Sequence, residues 1–219
     1  MLLQDILLIQ LTNEHLGAKG GISSEIHDIL MQEETAMNVR KFEGKTPQLA
    51  QDIYIDAAAV VIGDVEIGRD SAIWPTAVVR ADVNKITIGE RSNIQDGTIC
   101  HVNHKHKANP EGDPLVIGND VTIGHRVVLH GCTIEDECLI GINTVVMDKV
   151  LIQKNVLVGA NSLVPPGKVL ASGYLYMGSP VKQIRPLTDD EMAYFKYSAD
   201  HYVVLKNKHM KSEEDNVTK

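Results

Sequence analysis

The chain has 219 residues, with 21 Lys and Arg against 29 Asp and Glu and a formal net charge of −8. That acidic balance argues against a protein held by nucleic-acid phosphates, which need a basic surface. A hydrophobic content of 43% supplies a core but is too low for a membrane protein, and aromatics at 4% imply a core of Val, Ile and Leu in thin layers or an oligomer. The three cysteines, Cys100, Cys132 and Cys138, have no C-x-x-C spacing. They read as small buried apolar residues in a reducing cytoplasm, the expected location.

In chain order, the run Leu2, Leu3, Ile6, Leu7, Leu8, Ile9 and Leu11 is interrupted by Asp5 and lacks a basic flank and a cleavage site. It is too short to span a bilayer and reads as a short amphipathic helix. Residues 13–36 are polar and unpatterned, so residues 1–36 are read as an extension outside the fold. A patterned domain is expected over 37–186.

An aliphatic residue then recurs every sixth position: Ile55, Val61, Ile67, Ile73 and Val79. Ile88, Ile94 and Cys100 follow after a slip of three. Ile117, Ile123 and Leu129 come next. After a slip of one, Ile134, Ile140, Val146, Ile152, Val158 and Val164 complete the series. Gly follows the aliphatic at 68, 89, 118, 124, 141 and 159. A helix repeats at 3.6 and an ordinary strand at 2. A period of six with Gly is the signature of a parallel β-helix, in which each hexad forms one side of a three-sided coil of 18 residues. Each side sends one aliphatic into a narrow prism that excludes aromatics, and Gly is expected at the turns because φ can be positive there.

Val164-Pro165-Pro166-Gly167 reads as the end of the repeat. Thr188-Asp189-Asp190-Glu191 is a capping box with an acidic first turn. It opens a C-terminal helix over 187–210 that packs along the solenoid through Met192, Phe195 and Tyr202. A charged, frayed tail is expected over 211–219.

The repeat also fixes the placement of three of the nine histidines. His101 follows the inward Cys100 and His130 follows the inward Leu129, so both occupy one slot of the hexad. They are 29 residues apart, and an insertion between Cys100 and Ile117 accounts for 11, which leaves one coil of 18. The two should stack about 4.8 Å apart on one edge. His125 occupies another slot on the preceding side, so it faces a different corner. A threefold assembly would bring it to the stacked pair of a neighbour. Three neutral imidazoles with an open fourth position form a catalytic metal site. His15 and His27 fall in the extension, and His201 and His209 are expected on the surface of the terminal helix.

With Arg80-Ala81-Asp82 and Asn93-Ile94-Gln95-Asp96 upstream, the set R-x-D, N-x-Q-D, H and H-x(4)-H resembles the gamma-class carbonic anhydrases over roughly Val39 to Arg185. Gly173-Tyr174-Leu175-Tyr176 and Gly178-Ser179-Pro180-Val181-Lys182 are similar to the bacterial carbonic-anhydrase-like branch, also labelled ferripyochelin-binding. The resemblance implies a left-handed β-helix and a homotrimer that interconverts CO2 and bicarbonate by a metal-bound hydroxide. It also implies Zn2+, with Fe2+ or Co2+ as alternatives, held by His101 and His130 of one subunit and His125 of the next. Gln95 would then hydrogen-bond the hydroxide and Asn93 would lie near the substrate. Arg80, Asp82 and Asp96 would form an ion-pair network across the interface, or a purely structural one. No nucleic acid or membrane is an expected partner.

Two positions depart from the family pattern. Val83 stands where active members carry a Glu after the R-x-D aspartate. His104, three residues after His101, stands where they carry a Glu that shuttles protons. His104 reads either as a replacement shuttle or as a solvated loop residue. Three functions therefore stay open: a carbonic anhydrase of reduced activity, a non-catalytic metal-binding trimer serving as scaffold or accessory protein, and a hexapeptide acyltransferase.

Overall fold

The computed structural model describes residues 38–217, with no side-chain description at 214, 216 and 217. The expected extension over 1–36, with His15 and His27, lies outside the described residues.

Short parallel strands stack coil upon coil into a three-sided solenoid. Face one carries Ile99–His101, Val128–His130, Val145–Val146 and Leu163–Val164. Face two carries Leu115–Ile117, Thr133–Ile134, Leu151–Ile152 and Val169–Leu170. Two longer strands, Val60–Ile67 and Val78–Ile88, turn the corner between these faces and join them into one 12-stranded sheet. Face three is an 8-stranded sheet from Tyr54–Ile55 and Ala72–Ile73 through Asn93–Ile94 and Thr122–Ile123 to Tyr174–Met177, closed by the antiparallel strand Lys182–Pro186.

The register follows the hexads. Val61 pairs with Val79, Ile94 with Ile123 and Ile123 with Ile140. The marked aliphatics from Val61 to Val164 are buried, most of them completely, while Ile55 in the first coil is half-buried. The slip of three is absorbed within Val78–Ile88, where the pairing shifts between Gly63 and Val65. The three thiols are buried, and burial pushes Cys100 and Cys138 up to about 12 and raises Cys132 as well, which keeps them unreactive.

Three expectations need correction. Val164-Pro165-Pro166-Gly167 does not end the repeat. Val169–Leu170 continues face two with Leu170 fully buried, and Tyr176 fills the inward slot of the last coil at 3% exposure. Pro165 and Pro166 occupy a corner, where no ladder hydrogen bond is needed, and Gly167 takes φ 70 there.

The second correction concerns the glycines that follow the inward aliphatics. Gly89 and Gly141 do not have positive φ; the left-handed residues are Arg91 and Asn143, two positions later. A Cβ on Gly89 would meet Gly118 O at 2.5 Å, and one on Gly141 would meet Ala160 N at 2.5 Å. Glycine is required because successive coils approach backbone to backbone.

The third concerns the helix, which spans Asp189–Val217. No Gly or Pro interrupts residues 189–217, so nothing stops the helix at 210. The capping box forms as expected: Glu191 N–H donates to Thr188 Oγ1 at 3.2 Å and Thr188 N–H to Glu191 Oε2 at 2.9 Å. Phe195 and Ala199 are buried and Tyr202 packs on Trp74, but Met192, in the first turn of the helix, is 38% exposed. The helix lies on face three. The Ser198 and Thr122 hydroxyls are 2.8 Å apart, Arg91 Nη2 donates to Asp200 at 2.7 Å, and the fully buried Lys206 reaches Asp70 at 3.0 Å.

If the repeat continues past the Pro-Pro-Gly corner, Leu170→Ala should cost about 2–5 kcal/mol, as does removing a fully buried aliphatic elsewhere in a core. Ile123→Ala is the comparison. Chemical denaturation should show similar losses for the two; a negligible loss for Leu170→Ala would place the end of the cooperative core at Val164.

Candidate metal centre

His101 and His130 are direct partners in the parallel ladder of face one, each at the end of its strand where the chain turns toward face two. Their ring centroids lie 5.1 Å apart, and His101 Nδ1 faces His130 Nε2 at 3.2 Å. The stacking that the hexad count predicts is present.

The outer nitrogens are held by carboxylates. His101 Nε2 lies 3.1 Å from Asp82 Oδ1, and His130 Nδ1 lies 2.6 Å from Asp148 Oδ1. Asp82 is paired in turn with Arg80. Burial opposes ionisation of Asp82, but hydrogen bonds from His101 and Arg80 outweigh it and hold the carboxyl below its usual range. Burial lowers the His101 pKa despite the hydrogen bond to Asp82, which favours the neutral ring that a metal ligand requires.

A neutral ring that donates from its outer nitrogen presents a lone pair at its inner one. With each ring neutral and donating outward, both facing nitrogens are acceptors, and two acceptors at 3.2 Å repel unless a cation lies between them. Two nitrogens bound at about 2.0–2.1 Å to one tetrahedral zinc are separated by about 3.3 Å. The pair fits a divalent ion.

His125 lies at the corner where face three turns into face one, and its Nδ1 is 2.9 Å from Asp96 Oδ2. It shows the same carboxylate–imidazole pairing, which orients a ligand ring. Among the described residues, no group of three or more His, Cys, Asp or Glu in one chain is placed to hold a metal ion. His125 does not join the stacked pair within the chain, and Asp96 contacts His125 rather than Arg80.

Asn93 and Gln95 sit on face three, both buried. Gln95 Nε2 donates to Asn93 Oδ1 at 3.1 Å, and Asn93 Nδ2 donates to Thr122 Oγ1 at 3.1 Å. The structure groups them with His125 and the terminal helix, on a different side of the chain from His101 and His130. Tyr202 of that helix hydrogen-bonds Gln95, though burial dominates and raises the phenol.

His104 lies exposed in the insertion, a small hairpin in which Asn103 bridges Asp113 and His106 bridges Asn109. Val83 is 45% exposed.

Sequence reasoning missed Asp148. Its signal was the coil length, since it stands 18 residues after His130 on the next coil. Tyr202 had no comparable signal, because the repeat does not fix the register of the helix.

A hexapeptide solenoid carrying a carboxylate-braced histidine pair is the class that the fold and site define. No protein-family profile matches the chain. It is 55% identical over 172 residues to Protein YrdA of Escherichia coli, covering 78% of this chain and 94% of the relative. It is 41% identical over 189 residues to mitochondrial gamma carbonic anhydrase 2 of Arabidopsis thaliana, covering 85% and 66%. With a probable carbonic anhydrase of Methanocaldococcus jannaschii the identity is 43% over 157 residues, covering 72% and 94%. Among solved structures, a hexapeptide transferase family protein from Anaplasma phagocytophilum superimposes with a TM-score of 0.71 at 36% identity, covering 77% and 95%. The chain belongs to the gamma carbonic anhydrase-like family of hexapeptide-repeat proteins, and its solenoid is the left-handed β-helix of that family.

Carboxylates behind metal-bound histidines typically contribute 10–100-fold in affinity. Asp148→Asn should weaken metal binding by about that factor while leaving the thermal transition of the metal-free protein nearly unchanged. Competition with a chromophoric chelator checks this; unchanged affinity would remove Asp148 from the site.

Proposed function

We propose that the protein is a gamma carbonic anhydrase-like metalloprotein, a homotrimer that interconverts CO2 and bicarbonate at its subunit interfaces. The observation that carries this reading is the facing pair of imidazole nitrogens, 3.2 Å apart with their outer nitrogens on Asp82 and Asp148. His101 and His130 of one subunit would hold the ion together with His125 of the partner subunit, which Asp96 orients. Zn2+ is the first choice, with Fe2+ and Co2+ as alternatives, since imidazole suits all three. Such an ion supplies Lewis acidity and a water whose pKa falls to about 7.

The remaining work falls to side chains of this chain. The Gln95 and Asn93 amides, locked to each other and to Thr122, would orient the oxygen atoms of CO2 and bicarbonate near the partner-facing His125. Arg80 fixes Asp82 and so the tautomer of His101; across the interface it would pair with Asp96. Hydration of CO2 to bicarbonate releases one proton, and His104 in the exposed hairpin would carry it to buffer, because imidazole exchanges protons near neutral pH.

A second reading is a metal-binding trimer without catalysis. It is favoured by Val83 and His104 standing where active relatives carry glutamates. The acyltransferase reading has the fold-level likeness to hexapeptide transferases behind it, and fold alone does not assign chemistry.

Light scattering should give about three times the 24.0 kDa chain mass. His125→Ala should remove most bound metal, as should His101→Ala or His130→Ala, whereas His209→Ala should leave it unchanged. A monomer with full metal content would overturn the interfacial site.

Stopped-flow CO2 hydration by metal-loaded protein should show low activity that rises with pH. His104→Ala should lower kcat by about 10²-fold or more with unchanged occupancy of the interfacial site, and imidazole buffer should restore part of it. No activity at full metal occupancy would favour the non-catalytic trimer. Acyl transfer from coenzyme A thioesters without metal would favour the third reading.

A further inference from the structure

The insertion that interrupts the repeat holds a second histidine pair. His104 and His106 are both exposed, and their ring centroids are 5.3 Å apart. The stacked pair His101 and His130 shows nearly the same separation, 5.1 Å. Two imidazoles whose nitrogens both point at one tetrahedral ion, at about 2.0–2.1 Å, place their centroids about 5.2 Å apart, so rings at this separation can reach that arrangement by turning about their side-chain bonds.

The hairpin that carries them is fixed from several sides. Asn84 Nδ2 donates to the carbonyls of Asn103 at 3.1 Å and Glu111 at 2.9 Å. Asp113, 6% exposed, accepts from Asn103 Nδ2 at 2.9 Å and from Asn109 Nδ2 at 3.0 Å. His106 and Asn109 exchange both backbone hydrogen bonds, at 3.0 and 2.9 Å. A backbone anchored in this way reduces the entropy lost when the two rings bind an ion. Lys105, between the two histidines, is drawn to Glu111 Oε2 at 3.6 Å, which offsets its charge near the rings.

We propose that His104 and His106 form a second divalent-metal site on the solvent side of the insertion, separate from the interfacial one. Two imidazoles and no carboxylate select borderline transition metals and not Mg2+ or Ca2+, with Cu2+ held more tightly than Ni2+ or Zn2+. One consequence rests on the function proposed above: an ion on His104 occupies the nitrogen that would carry the proton out, so filling the second site slows CO2 hydration.

The test is calorimetric titration of metal-loaded, full-length protein with Cu2+, Ni2+, Zn2+ and Mg2+. One further Cu2+ per chain is expected, with Ni2+ and Zn2+ weaker and Mg2+ absent. His106→Ala should abolish this binding while the original metal content stays unchanged. Equal binding by parent and His106→Ala, or no further ion in the parent, overturns the site. In the same titration the hydration rate of the parent should fall as the second ion binds, and that of His106→Ala should not. A filled second site with an unaltered rate overturns the regulatory consequence. If the parent hydrates no CO2, that consequence fails together with the proposed function, while the ion count still decides the site.

Discussion

Stacking coils at the strand spacing, with one aliphatic per side turned inward, leaves a prism too narrow for error along its axis. Ile94, Ile123 and Ile140 are consecutive ladder partners on face three, and a shift of one residue would turn each outward and expose the core. The chain nevertheless tolerates coils of different length, because corners absorb what faces cannot. Three extra residues are taken up inside Val78–Ile88, eleven in the hairpin after His101, and one is missing before Ile134. In each case the next inward residue returns to register.

That tolerance makes the site possible. The hairpin lengthens one coil by 11 residues and still leaves His101 opposite His130 in the ladder. Backbone pairing sets the separation of the rings, and carboxylates on neighbouring coils brace their outer nitrogens. Neither histidine depends on a flexible loop for its position. Histidines held by the ladder itself are preorganised, so binding an ion costs little rearrangement.

Much of this was legible in the sequence because period six is a geometric code with few readings. The coil length, the three corrections to it and the pairing of His101 with His130 all follow from counting. Where counting was replaced by local motif, it misled: Val164-Pro165-Pro166-Gly167 looks like a stop, yet Leu170 and Tyr176 keep the six-residue spacing beyond it. The glycines were found for the wrong reason, since a close approach between coils cannot be read from one strand. The helix carries its own period of 3.6, so nothing in the hexads could show that Tyr202 meets Gln95 or that Met192 stays exposed. The pairs Lys206–Asp70 and Arg91–Asp200 were hidden for the same reason.

The electrostatics of the histidine pair connect the fold to assembly. With Asp82 and Asp148 each holding a proton on the outer nitrogen of a neutral ring, two lone pairs face each other across 3.2 Å. Repulsion at that distance is relieved by any cation, but two donors leave a tetrahedral ion half-coordinated. His125, braced in the same way by Asp96, is a third donor with its Nδ1 already committed and its Nε2 free. It stands at another corner of the same prism. A donor pair that needs a third and a third donor that cannot reach the pair are complementary surfaces of one chain. In the proposed trimer, a rotation by a third of a turn would bring the two together at each of three interfaces. In that arrangement the ion would be a structural element of the trimer before it is a reagent, and its loss would loosen the contact between subunits even in a protein that hydrates no CO2.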